Sequence, residues 1–291
     1  MGMFEGALTA LVTPFRGDAV DEKALRELVE HQIASGIDGL VPAGTTGESV
    51  NLSHAELEKV LRITVEQARG RVPVVAGTGT ASTRHTVELT KLAREAKVDG
   101  VLVVAPYYNR PSQEGLYQHF KAVAELGLPV VLYNIPVRTG VDVSLDTTER
   151  LAALPSIVAI KESTGNVVRS ADILQRFGSR FTVLSGDDGI TLPILALGGH
   201  GVISVASNVA PKEVAQLVKL YRSGDTNGAR ILAEKLRPLF EVLFIEPNPG
   251  PAKAALAQLG RLAPEIRLPM VLPTEANQAR IRAVIGELAP S

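Results

Sequence analysis

Eight short apolar runs, each followed by a longer amphipathic stretch, constrain this chain more than any other feature. The runs are Ala7–Val12, Gly39–Val41, Val72–Ala76, Gly100–Ala105, Val130–Ile135, Ile157–Ile160, Phe181–Leu184 and Gly201–Val205. They are rich in Val, Ile and Leu without polar alternation, as parallel strands buried on both faces should be. The stretches between them have helical spacing: Leu25, Leu28, Val29, Gln32 and Ile33 in the first, Leu57, Val60, Leu61 and Val65 in the second. Ser53-His54-Ala55-Glu56 reads as a capping box, and Ser82, Ser112 and Ser144 read as N-caps. The repeated strand–helix unit predicts an α/β fold, a (β/α)8 TIM barrel. A doubly wound sheet would carry fewer strands and often a glycine-rich turn after the first. Here the first run leads into Thr13-Pro14-Phe15.

Helical patterns at 226–243, 250–260 and 273–288 then follow with no strand between them. Residues 1–225 are therefore read as the catalytic barrel and 226–291 as a small C-terminal helical extension. Glu246-Pro247-Asn248-Pro249-Gly250-Pro251 is read as a rigid turn inside it. Lys and Arg (30) cancel Asp and Glu (31) to a net charge of −1, which offers no field for nucleic acid or an anionic membrane surface. The 4% aromatic content and the lack of tryptophan argue against base-stacking platforms. With no cysteine, disulfides, thiolate metal sites and a cysteine nucleophile are excluded. The stretch Met1-Gly2-Met3-Phe4-Glu5-Gly6 lacks the basic-then-apolar pattern of a secretory signal, and no apolar run nears the ~20 residues that span a bilayer. The expectation is a soluble cytoplasmic protein.

In such a barrel the chemistry sits at the C-terminal ends of the strands. Lys161 directly follows an apolar run. A lysine aimed into the barrel mouth is partly desolvated, which favours the neutral amine, and a neutral amine attacks ketones. The plainer alternative is a strand-end lysine that reaches solvent or pairs with Glu162. Tyr133 stands near the end of the neighbouring fifth run, where a phenol either moves protons or merely satisfies a hydrogen bond. Arg138, five residues on, either clamps a carboxylate or decorates a loop. Gly44-Thr45-Thr46-Gly47-Glu48 is either a nest for a small carboxylate or phosphate or simply a tight turn. His31, His54, His85 and His119 fall on helices or their starts, and His200 precedes the eighth run. With no strand-end histidine, a metal mechanism is disfavoured. Asp187-Asp188 could hold Mg2+ but reads better as a pair of capping groups. Together these groups point to Schiff-base condensation or cleavage of a 2-oxo acid.

The motifs Gly44-Thr45-Thr46-Gly47-Glu48-Ser49, Pro106-Tyr107-Tyr108-Asn109, Tyr133-Asn134-Ile135-Pro136-Val137-Arg138-Thr139-Gly140, Ile160-Lys161-Glu162-Ser163-Thr164-Gly165, Ser185-Gly186-Asp187-Asp188 and Gly198-Gly199-His200-Gly201-Val202-Ile203-Ser204 resemble those of the pyruvate-dependent class I aldolase (N-acetylneuraminate lyase) family. The likeness runs from Gly6 to the C-terminal region. It implies that Lys161 forms an imine with pyruvate and that Tyr133 moves protons. It implies that Thr45 and Tyr108 complete a hydroxyl relay, with the tyrosine supplied by a neighbouring subunit of a homotetramer built from tight dimers. Thr46 and Ile203 match positions that touch pyruvate, and Gly186 matches a substrate-contacting one. Arg138 matches the arginine that takes the carboxylate of L-aspartate 4-semialdehyde, the second substrate of the family's lysine- and diaminopimelate-forming branch. No cofactor is implied, because the lysine is the electron sink. A sibling lyase acting on sugar acids would have no use for Arg138. A catalytically silent barrel would leave Lys161, Tyr133 and Thr45 without purpose. In members inhibited by lysine, the inhibitor site matches Ser49, His54 and Tyr107 but not Leu57, Ala81 or His85. The likeness therefore implies weak or absent inhibition, since the lysine ammonium loses its carboxylate partner.

Overall fold

The computed structural model describes residues 3–288. Met1 and Gly2, on which the signal-peptide expectation partly rests, and 289–291, at the end of the expected extension, lie outside them. The strands are β1 (Gly6–Ala10), β2 (Phe15–Arg16), β3 (Ala19–Val20), β4 (Gly39–Val41), β5 (Val75–Gly77), β6 (Gly100–Val104), β7 (Val130–Asn134), β8 (Ile157–Glu162), β9 (Thr182–Ser185) and β10 (Gly201–Ser204). β2 and β3 form a small antiparallel ribbon. The other eight are parallel, in the order β4-β1-β10-β9-β8-β7-β6-β5. The ring closes where Leu40 bridges Val74, with Leu40 N donating to Pro73 O (2.9 Å) and Gly77 N to Pro42 O (2.9 Å). The fold is thus the expected TIM barrel. The ribbon escaped the sequence reading because two-residue strands show no periodicity.

Two apolar layers build it. Leu8, Val41, Val75, Leu102, Val131, Ala159, Leu184 and Ile203 fill the barrel interior. A second, larger cluster lies between strands and helices, where Leu25, Leu28 and Val29 of the helix Glu22–Ala34 and Leu57, Val60 and Leu61 of the helix His54–Ala68 are buried. The capping box at Ser53 forms, and Ser82, Ser112 and Ser144 each accept the expected backbone N–H.

The last helices span Thr226–Val242, Gly250–Gln258 and Glu275–Leu288. They are anchored to the barrel from within: the fully buried Lys253 pairs with Glu48, and Arg267 Nη1 and Nη2 reach Glu56. Among the described residues no helix is long and apolar enough to cross a membrane.

Candidate active site

β7 and β8 run side by side with Tyr133 opposite Lys161 and Asn134 opposite Glu162. Successive side chains alternate across a sheet, so the first pair faces the barrel interior and the second faces the helices. β8 extends two residues beyond the apolar run, which makes Lys161 part of the strand rather than its sequel. Lys161 is 5% exposed, and its Nζ lies 4.3 Å from the centre of the Tyr133 ring. Among the described residues it has no acidic partner; Glu162 turns outward and pairs with Arg169 (3.1 Å). The alternative of a Lys161–Glu162 pair is thereby set aside.

Lys161 and Tyr133 open into a cavity at the C-terminal mouth, shared with Thr45, Thr46, Arg138 and Gly186. The Thr45–Thr46 turn is fixed from several directions. Glu48 N donates to Thr45 O (3.1 Å), and Thr13 Oγ1 donates to Gly47 O (2.7 Å). Glu48 is buried, adopts a left-handed φ of 55°, and accepts from Lys253 Nζ and from Arg267 N (3.0 Å). Arg138 lies on the short helical turn Pro136–Thr139, and among the described residues no acidic side chain neutralises it. Gly186 must lack a side chain: a Cβ there would sit 1.7 Å from Ser163 Oγ and 3.0 Å from Lys161 Cε. A larger residue would push aside the stem that carries the amine.

Two expected residues lie elsewhere in this chain. Ile203 is fully buried in the barrel interior, and the cavity wall beyond β10 is Val205 instead. Tyr108 is 92% exposed on a left-handed turn (φ 73°) and does not line the cavity. Asp187 and Asp188 are capping groups, as expected. Asp187 Oδ1 accepts from Gly189 N (2.8 Å), and Asp188 Oδ2 accepts from Val205 N (3.0 Å) and Ala206 N (2.9 Å). Burial pushes the Asp188 carboxyl up. His200 caps the opposite end of the barrel by accepting from Val183 N at Nδ1 (3.1 Å).

The sequence reading missed Asn248 and Phe244, which also line the cavity. Asn248 Nδ2 donates to Thr46 Oγ1 (3.1 Å) across 202 residues of chain. Only its place in a proline-rich turn marked it. A second cavity is lined by Ser49, His54, Leu57, His85 and Tyr107, with His54 Nε2 and His85 Nε2 3.0 Å apart.

The profile of the Dihydrodipicolinate synthetase family matches residues 3–288. The 4-hydroxy-tetrahydrodipicolinate synthase of Syntrophus aciditrophicus (strain SB) is 52% identical over 284 residues, 97% of this chain and 98% of that protein. The crystal structure of dihydrodipicolinate synthase from Aquifex aeolicus superposes with a TM-score of 0.96 at 47% identity, covering 98% of each chain. A chloride-inhibited dihydrodipicolinate synthase from Acinetobacter baumannii, solved in complex with pyruvate, superposes with a TM-score of 0.96 at 42% identity, covering 98% of this chain and 99% of that one.

Proposed function

This chain belongs to the dihydrodipicolinate synthetase family, and on that premise we propose that it is a 4-hydroxy-tetrahydrodipicolinate synthase. It condenses pyruvate with L-aspartate 4-semialdehyde, a step toward diaminopimelate and lysine. The observation that carries the reading is the pairing of Lys161 with Tyr133 inside the mouth, where among the described residues the amine has no acidic partner.

The nitrogen lone pair of Lys161 attacks the ketone carbon of pyruvate, and loss of water leaves an imine. Loss of a methyl proton gives the enamine, with the imine nitrogen as electron sink. The enamine carbon bonds to the aldehyde carbon, and the product's own amine then displaces Lys161 and closes the ring. By class this is a carbon–oxygen lyase (hydro-lyase). Tyr133 moves protons, relayed through Thr45 and through Tyr108 of the partner subunit. The exposure of Tyr108 supports that role in a homotetramer of paired dimers. Thr46, Gly186 and Ile203 shape the pyruvate end, and Arg138 takes the carboxylate of the semialdehyde. The barrel carries the reaction, while the described part of the C-terminal extension, through Phe244 and Asn248, braces its mouth. Among the described residues that line it, the second cavity offers a lysine ammonium no carboxylate, so inhibition by lysine is weak or absent; a steep sub-millimolar inhibition curve would contradict this.

Borohydride reduction in the presence of pyruvate, followed by peptide mass analysis, tests the chemistry. The reading requires a pyruvate-derived adduct on Lys161 and faster turnover with aspartate semialdehyde than cleavage of sugar acids. An adduct elsewhere, or none, overturns it.

A further inference from the structure

The outward faces of β7 and β8 carry a second device, built from the residues next to Tyr133 and Lys161. Asn134 is fully buried and holds both ends of the eight-residue loop 135–142 together. Its Nδ2 donates to Asp142 Oδ1 (2.8 Å) and Glu162 Oε2 (3.3 Å), and its Oδ1 accepts from Val143 N (3.1 Å). Arg169, at the start of the helix Val167–Phe177, closes the set. Its Nε donates to Glu162 Oε2 (3.1 Å), its Nη1 to Asp142 Oδ2 (3.4 Å) and its Nη2 to Val143 O. Its side chain is 11% exposed and that of Glu162 2%. Glu162 Oε1 also accepts from Thr164 N (2.8 Å).

Inside this clamp the loop is hydrogen-bonded to itself. Thr139 Oγ1 donates to Ile135 O (3.1 Å) and Val141 O (2.8 Å), and the helical turn that carries Arg138 ends at Gly140 in the left-handed region (φ 73°). Arg138 is the one residue of that loop's helical turn that reaches the cavity. A guanidinium can bind three separate acceptors in one plane, a geometry that an ammonium cannot reproduce.

We propose that Arg169, anchored by Glu162, is a positioning residue that sets the place of Arg138 and thereby the recognition of the second substrate. The inference rests on the reading that Arg138 takes the carboxylate of the semialdehyde. The strand that points its lysine inward points its glutamate outward, so the covalent centre and the carboxylate clamp share one rigid register. Pyruvate is held through its bond to Lys161, whereas the semialdehyde is held through Arg138 on the loop.

The test uses the full-length enzyme and separate KM values for the two substrates. Arg169→Leu is expected to raise KM for aspartate semialdehyde by about ten- to a hundredfold, the cost of misplacing a binding group. The KM for pyruvate and the borohydride-trapped adduct should stay unchanged. Arg169→Lys, which keeps the charge beside Glu162 but not the three-way geometry, should fall between. Because Arg169→Leu strands a buried carboxylate and can fail to fold, Asp142→Ala is made in parallel. It removes only the half-exposed end of the clamp and should shift the same KM in the same direction. Arg138→Ala is the control. If it raises the semialdehyde KM while the Arg169 and Asp142 variants do not, the positioning role is wrong and the reading of Arg138 stands. If Arg138→Ala leaves that KM unchanged, the reading itself falls and takes the inference with it. A parallel rise in both KM values in step with lost thermal stability marks a purely structural network and also overturns the proposal.

Discussion

Two lysines are buried at the same end of this barrel, in different surroundings. Lys161 is 5% exposed and has an aromatic ring beside it but, among the described residues, no acid. Lys253 is 0% exposed, also lies over a ring, that of Phe15 at 4.2 Å, and is paired with the buried Glu48. Burial lowers the pKa of the Lys253 amine, and the Glu48 carboxylate offsets only part of that shift. The difference teaches that depth does not make a lysine a nucleophile. An amine locked to a buried carboxylate is engaged as a structural group, whereas one that faces a cavity without an acidic partner is placed to meet a ligand.

The comparison breaks most sharply at Lys161. Lys161→Ala is expected to abolish the trapped adduct and to lower turnover at least about a thousandfold, with the fold intact by circular dichroism. Tyr133→Phe sharpens the same side: kcat should fall by about 10²–10⁴, while the adduct still accumulates, more slowly, in a stopped time course.

On the other side, Lys253→Met should cost about 3–5 kcal/mol in urea unfolding, because Glu48 is left buried without its cation. Adding Glu48→Gln should recover most of that loss. A Lys253 variant that keeps full stability but loses the pyruvate adduct would reverse the two assignments.

The smallest effect lies at the rim of the structural cluster. The Arg267 guanidinium lies over the Phe15 ring and holds the Glu56 carboxyl down at about 2, from an ordinary 4.5. A depressed carboxylate stabilises the fold fully above its unfolded pKa, and that contribution fades as pH falls from 4.5 toward 2. Glu56→Gln should flatten this acid limb in pH-dependent unfolding and leave stability near neutral pH lower than in the parent.

The two lysines also mark how far the sequence could be read. Lys161 was visible because it interrupts the end of a Val/Ile run, and periodicity located the whole barrel in the same way. Lys253 stands in Gly-Pro-Ala-Lys-Ala-Ala-Leu, a pattern that fits a surface helix equally well. Its burial is set by Glu48, 205 residues away, and no local rule reports a partner at that distance. Asn248 was hidden for the same reason. Arg138 was legible as a residue type at the right face, but the Asn134–Glu162–Arg169 set beneath it was not, because outward-facing polar residues on a strand look like ordinary helix contacts. Ile203 is fully buried in the barrel interior while Val205, two positions on, lines the cavity, a difference of depth that strand patterning does not report.

β4 and β8 lie four strands apart in either direction around the ring, on opposite walls. β4 joins β5 through a single bridge instead of a ladder. A reaction intermediate tethered to Lys161 and hydrogen-bonded to the Thr45–Thr46 turn would therefore span the mouth, with one end beside the strand that borders the loosest seam. For as long as it lasts, the covalent bond to substrate would tie β4 to the opposite wall.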